Sequence, residues 1–332
     1  MMLRLKPPAY SRILQSDLFE ATYGGAEANV AVSLSLLGND AAYLTKLPKN
    51  PLGEAAIGTL KRYGVDTGRV LRGGPRIGVY YFEKGIDVRP TSVVYDRAGS
   101  SIATARRSEF NWHSLLDGVG VFYFSGITPA VSDELAGAVQ DALACCRELG
   151  ITVVCDLNYR GKMWATEKAQ SVMKDLMPYI DVCIANDEDF ESALGIRAFD
   201  GDLSHGIDQI ESFRNGMKKI TEQYPNCKTV ASVLRNIHSV EKSDWMGILF
   251  QKGKFYESPV HHVHVMEGVA SGDAFGAGLI HSLLHRASPQ DTVDFAIAAS
   301  VLKLSIGGDL NLVTENEVRA AMHKGSSARV KR

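Results

Sequence analysis

The sequence predicts an α/β protein whose mainly parallel sheet is covered on both faces and which carries a small β-sheet lid. Two patterns and one size point there. From about residue 118 onward, continuous apolar runs of strand length alternate with helical patterns, the rhythm of a parallel sheet buried between helices. Residues 3–23 and 77–95 instead alternate polar and apolar side chains, which suits a half-buried antiparallel sheet. The 332 residues, 45% hydrophobic and 22% charged, suffice for a well-buried core. The expected division is a core at 24–76 and 104–332 and a lid at 2–23 and 77–103.

Taken in order, GGAEANVAVSLSLLGND (24–40) sets Val30, Ala31, Leu34 and Leu37 at helical spacing, and Gly38 is a C-terminal stop. Gly24 and Gly25 before it let the backbone turn tightly and approach a ligand. GVYYFEKGIDVRPTSVVYD (78–96) supplies the lid's alternation. GVGVFYFSGI (118–127) opens the strand series, followed by the helix pattern SDELAGAVQDALACCRELG (132–150). The strand ITVVCDLN (151–158), a helix near 165–178 and the strand DVCIAN (181–186) continue it. KTVASVLR (228–235) and WMGILFQKGKFYE (245–257) close the series, the latter folded back at Lys252-Gly253. The next helix is expected to begin near Ala274.

Composition excludes several classes. A formal charge of −2 and the lack of a basic stripe argue against a nucleic-acid partner, and the one basic cluster, Lys324 to Arg332, reads as a frayed tail. No apolar run approaches the ~18 residues of a membrane span, and no signal peptide is legible. Five cysteines without a C-x-x-C spacing suit a reducing cytoplasm. In HHVHV (261–265), His262 and His264 share a strand face, but no acid or cysteine adjoins them, so a solvated strand is expected rather than a zinc site. NDEDFES (186–192) reads either as a helix start with favourable charge or as part of a site. The phosphate-binding patterns G-x-x-x-x-G-K-[ST] and G-x-G-x-x-G, and the protein-kinase catalytic loop, are absent from the sequence.

One stretch still asks for chemistry. EGVASGDAFGAGLIHSLLHR (267–286) surrounds Asp273 with small residues at the mouth of a helix. Unpaired N–H groups there attract an anion, and small residues let a phosphate approach the backbone. Asp273 is then either a helix cap or a base that takes the proton of a hydroxyl attacking phosphorus.

This segment resembles the C-terminal signature D-x-x-G-A-G-D-x-F-x-x-G of the ribokinase-like (pfkB) carbohydrate kinases, and YGGAEANVAVSLSLLG resembles their N-terminal signature. KLPKNPLG, GVYYFEKG, VVYDRAGS, DLNYRGKMW and IGGDLNLVT follow in the order seen in the 2-keto-3-deoxygluconate kinases of that family. The resemblance implies a ribokinase-like three-layer α/β/α core with a lid, and ATP- and Mg²⁺-dependent phosphorylation of the terminal hydroxyl of a sugar acid. It implies that Asp273 is the base and that amides of Ala270, Ser271 and Gly272 hold the transferring phosphoryl group. Gly25, Asn29 and Asp309 would line the sugar site, with Tyr80, Tyr95 and Arg97 closing from the lid. Arg160 would pair the carboxylate, as a planar guanidinium fork does well. Asn186, Ser232, Arg235, Gly272 and Lys303 would face the nucleotide, with Mg²⁺ on the phosphates and water near Asn186 and Asp189. A homo-oligomer through the lid sheet is also implied.

Departures qualify the match. Glu267 stands at the signature's first acid, and Ala270 and Ser271 stand where glycines are common, so a Cβ could narrow the cradle or resist a left-handed backbone. Asp189 ends an N-x-x-E element one methylene short, with Glu188 beside it. The chain opens at MMLRLKPP, where relatives carry a preceding strand, so a trimmed N-terminus and unpaired backbone in the sheet are expected. Two other readings remain: a kinase of a neutral ketose or nucleoside, and a catalytically silent sugar-binding protein of the same fold.

Overall fold

The computed structural model describes residues 1–199 and 204–322, and the basic run Lys324 to Arg332 lies outside them. Its strands are β1 (Met2–Lys6), β2 (Glu20–Gly24), β3 (Lys46–Leu47), β4 (Leu71–Arg72), β5 (Gly78–Glu83), β6 (Ser92–Asp96) and β7 (Val121–Ser125). There follow β8 (Thr152–Asp156), β9 (Val182–Ile184), β10 (Thr229–Ile237), β11 (Lys242–Gln251), β12 (Lys254–Glu257) and β13 (His261–His264).

The large sheet runs β12-β11-β10-β9-β8-β7, with β13 also on β11. Strands β7 to β10 are parallel, and β11 turns the sheet antiparallel. Lys252 and Gly253 both take positive φ (51° and 74°), the two-residue turn that matches strand twist, so β12 folds back as the sequence suggested. Alternate residues of these strands feed two cores. Val153, Cys155, Cys183 and Val230 pack with Leu143, Met173 and Met217 from the helices Asp133–Leu149, Thr166–Leu176 and Ile210–Gln223. Val154, Val182, Ile184 and Ala231 pack the other way, against Val30, Phe275 and Ile297 from the helices Ala26–Leu36, Ser271–Leu284 and Pro289–Lys303. A sheet buried on both faces has no polar side, which is why its strands read as unbroken apolar runs. This is a three-layer α/β/α fold.

The lid sheet has the order β2-β1-β5-β6. Its β1–β2 and β5–β6 pairs are antiparallel, but β1 and β5 are parallel. The expectation of an antiparallel sheet is therefore corrected to a mixed one. Residues 25–77 intervene between the two hairpins, so β5 arrives by a crossover and can run alongside β1.

Strand β7 pairs with β8 on one side only, so among the described residues its other edge is open, and Val121 to Phe124 line a cavity there. The Met1 amino group is buried beside Tyr43, whose hydroxyl it meets at 2.8 Å, and burial lowers its pKa to about 6. All five cysteines are free and buried. No described helix is long and apolar enough to cross a membrane.

The helix expected near Ala274 begins three residues earlier, at Ser271. Ala270 occupies the left-handed region (φ 61°, ψ 14°), which ends the preceding turn and starts the helix at once. The small-residue cradle is thus the helix's first turn rather than a loop in front of it.

Candidate active site

A cavity of about 1410 Å³ opens between the lid and the C-terminal ends of β7 to β10 and extends along the unpaired edge of β7 as far as Gly118. Open crevices beyond the carboxyl ends of parallel strands are where α/β folds bind ligands, because helix N-termini converge there.

Asp273 lies in the first turn of the helix Ser271–Leu284 but caps nothing: the N-cap is Ala270, without a side-chain bond. Its Oδ2 instead accepts the Asn29 side-chain N–H at 2.7 Å. Burial pushes its pKa up from 3.8 to about 7, with Glu27 and Asp309 adding to the rise and the Asn29 bond and Arg160 opposing it. A carboxylate that changes protonation near neutrality, aimed into a cavity, is suited to accepting a proton. In the same turn, the Ser271 hydroxyl folds back onto the Gly268 carbonyl (3.2 Å), and a Cβ built on Gly272 would meet nothing. The space before these amides is open. Ala270 does not prevent the left-handed turn, although it bears strain of roughly 1–2 kcal/mol that glycine would not.

The Asn29 side-chain oxygen Oδ1 accepts Gly25 N at 3.3 Å, holding the paired-glycine turn to the start of the helix Ala26–Leu36. Gly25 has φ 152°, and a Cβ on Gly24 would overlap the Asp309 carboxylate. That close approach explains the first glycine. Arg97 lies over the Tyr95 ring (4.2 Å) and reaches the Met163 sulfur at 2.8 Å, while Arg160 donates to its neighbour's carbonyl, Tyr159 O, at 2.8 Å. Arg97 is held below its ordinary pKa by burial and by the Arg160 charge, partly offset by Tyr95. Two guanidinium groups therefore share one region of the cavity, where an anionic ligand relieves their repulsion.

A second acidic group sits at the strand ends. Asp189 accepts Tyr159 N (2.7 Å) and Asn186 N (2.8 Å), closing the first turn of the helix Asp187–Ser192. Burial raises its pKa to about 6 despite those bonds. The shorter acid at the end of N-x-x-E thus works as a capping carboxylate. Asp156, at the end of β8, is raised well above its ordinary value by burial and by Asp189 and Asp273, and its Oδ1 is buried without a protein partner.

Of the residues expected at the site, Gly25, Asn29, Tyr80, Tyr95, Arg97, Arg160, Asn186, Arg235, Ala270, Ser271, Gly272, Asp273 and Asp309 all line this cavity. Ser232 and Lys303 do not. Ser232 is fully buried and donates to Ala185 O, and Lys303 is fully buried with Nζ on Ile306 O at 2.9 Å. Asp309 faces the cavity with both oxygens occupied, one by Arg4 (2.7 Å) and one by the Tyr80 hydroxyl.

Sequence reasoning missed Arg4, Glu27 and Asp156. Arg4 was findable as a charge at the inward position of an alternating strand, the burial pattern of MLRLK being inward only there. Glu27 reads in sequence as an ordinary acid of a first helical turn, yet its Oε1 collects Ser125 N, Ser125 Oγ and Thr128 Oγ1 at 3.1, 2.7 and 2.6 Å. The histidine strand also changes meaning. Asp244 on β11 joins His262 (2.6 Å) and His238 (3.0 Å), an acid that only strand pairing brings near, and no group of metal-holding geometry forms among the described residues.

Comparison with known proteins adds the family and the fold. The model of the pfkB family carbohydrate kinases matches residues 1–315. A 2-dehydro-3-deoxygalactonokinase of Haloferax volcanii is 32% identical over 331 residues, covering 98% of this chain and 95% of that protein. The crystal structure of a 2-dehydro-3-deoxygluconokinase from Thermotoga maritima is 44% identical with a TM-score of 0.92, covering 97% of this chain and 95% of that one. A putative ribokinase II from E. coli, solved with ATP and Mg²⁺, shares the fold at 13% identity and a TM-score of 0.78, with 97% and 96% of the two chains covered. With its signatures meeting at Asp273 and the family match running over nearly its whole length, the chain belongs to the pfkB family of carbohydrate kinases.

Proposed function

We propose that the protein transfers the γ-phosphoryl group of ATP to the terminal hydroxyl of 2-keto-3-deoxygluconate, giving 2-keto-3-deoxy-6-phosphogluconate and ADP. The observation that carries this is a carboxylate with a pKa near 7 at a helix mouth, in one cavity with two guanidinium groups. The sugar acid's carboxylate is received by Arg160 and Arg97, a role for which a neutral sugar offers no counterpart. Its far hydroxyl then lies at Asp273. The hydroxyl oxygen attacks the γ-phosphorus, the bond from phosphorus to the β-phosphate oxygen breaks, and Asp273 takes the hydroxyl proton. Amides of Ser271 and Gly272, with the helix behind them, offset the charge on the phosphoryl oxygens.

Magnesium fits the strand-end acids. Asp156 Oδ1 is a buried hard oxygen with no partner, whereas both Asp189 oxygens are committed to backbone N–H groups. Asp156, beside Asn186 and Asp189, would hold the ion through water or directly, as suits a cation that retains water and shares phosphate oxygens. Once bound, it neutralises phosphate charge. Self-association through the lid is part of the same reading: the lid exposes from 54% to 91% of the surface of Leu14, Leu18, Val88 and Val94, and its edge strand β6 is unpaired on one side among the described residues.

The test is coupled ADP release over 2-keto-3-deoxygluconate, its C4 epimer, fructose and a nucleoside. The keto acids should dominate kcat/KM, and Arg160→Ala should abolish that preference. Equal damage to fructose and keto-acid turnover refutes the substrate. Binding of the sugar acid without ADP formation refutes the kinase.

A further inference from the structure

Arg4 belongs to the lid strand β1, yet only 1% of it is exposed, and its guanidinium joins three elements. One nitrogen donates to Asp309 Oδ1 at 2.7 Å, another to Glu267 Oε1, and the plane lies over the Phe82 ring of β5 at 4.0 Å. Glu267 Oε1 also accepts Gly308 N at 3.1 Å, while the Met266 and Glu267 N–H groups both donate to Leu304 O. Asp309 completes the knot through the Tyr80 hydroxyl, again from β5. One side chain thus ties the lid to Glu267, three residues ahead of Ala270 at the start of the cradle, and to the turn at 308–309.

Stability by itself does not call for this arrangement. Replacing buried ion pairs with apolar groups of similar volume is often neutral or stabilising. What a planar guanidinium supplies is fixed geometry between two carboxylates from separate parts of the chain. The charges balance locally, Arg4 and Lys303 against Glu267 and Asp309, with Lys6 at 3.8 Å from Glu267.

We propose that Arg4 is a positioning residue for phosphoryl transfer: it clamps the turn that aims the Ser271 and Gly272 amides to the base of the lid, so that cradle and lid move as one body. This rests on the kinase reading above. Asp273 is surrounded by Glu27 and Asn29 from the helix Ala26–Leu36, Tyr123 from β7, Asp156 at the end of β8, Arg160 after it, Lys303 from the helix Pro289–Lys303, and Asp309. Removing Arg4 takes away the cation bonded to Asp309 and leaves that acid's charge beside Asp273 offset only by Lys303 at greater reach.

The experiment compares wild type, Arg4→Met and Arg4→Lys as full chains. Hydrogen–deuterium exchange should rise about tenfold or more at 268–273 and at 306–310 in Arg4→Met, with the large sheet unchanged. In the ADP assay kcat should fall about 100-fold with KM for ATP little altered, and the acid limb of the rate profile should move upward in pH. Arg4→Lys keeps the charge, so the limb should stay in place while kcat falls less. If Arg4→Met does not fold, Arg4→Lys decides by the same exchange measurement. A folded variant with wild-type exchange in both segments overturns the inference, as does a lowered Tm with unchanged kcat and acid limb. A wild type that makes no ADP refutes the kinase reading, and the exchange result still judges the clamp.

Discussion

Asp273→Asn separates chemistry from folding. The asparagine carbonyl can still accept the Asn29 N–H that Asp273 accepts at 2.7 Å, and its volume is nearly the same. Only the ionisable oxygen is lost. A pKa of about 7 instead of 3.8 means that ionising the buried group costs on the order of 4 kcal/mol more than in water. Because the folded pKa is raised, the carboxyl supports the fold best when protonated. Its contribution falls as pH rises from about 4 and is lost above about 7. The variant should therefore melt higher than wild type at pH 8, by up to several degrees, and the gap should close toward pH 4. Turnover should move the other way, down about 10²–10⁴-fold. Wild-type kcat/KM should drop about tenfold per pH unit below pH 7, since only the ionised base acts. Differential scanning calorimetry at pH 5 and pH 8, with kcat/KM measured from pH 5.5 to 8.5, gives both quantities. Turnover within tenfold of wild type, or a variant less stable at pH 8, would refute the assignment of Asp273 as a buried base.

Three further outcomes follow from particular contacts. Gly24→Ala should disrupt the Arg4–Asp309–Tyr80 knot, because the added Cβ overlaps the Asp309 carboxylate; a lowered Tm together with lost activity is expected. Ala270→Gly should keep kcat and not lower Tm, since relief of left-handed strain offsets the greater freedom of glycine in the unfolded chain. A marked fall in either would mean that the Ala270 Cβ packs usefully. Val94→Glu on β6, where 54% of the valine is exposed, should shift the protein toward monomer in light scattering, whereas an unchanged mass would place any self-association elsewhere.

Much of the fold was legible because burial on both faces writes itself directly into sequence. Strands β7 to β10 stand out as apolar runs, and Lys252-Gly253 marks its hairpin by the positive φ it needs. Part of the cavity wall was legible where small residues must stand, at Gly24-Gly25 and at 268–273, whereas Arg160 was placed there by the family resemblance. The lid's parallel β1–β5 pairing was not, since period-two alternation specifies which face is buried and says nothing of direction.

What the sequence determined by itself, then, was the layer architecture, the two signatures and the acid between them, all of which depend on neighbours along the chain. The tertiary structure decided the rest. It kept Asp273 from capping by setting the helix start at Ser271, and burial, with Glu27 and Asp309 beside it, raised its pKa against the opposing bond from Asn29. It also turned Arg4, 305 residues from Asp309 in sequence, into the tie between lid and cradle. Local preference acts over a few residues, whereas a buried charge is defined by whatever the fold packs around it, and no spacing along the chain records that.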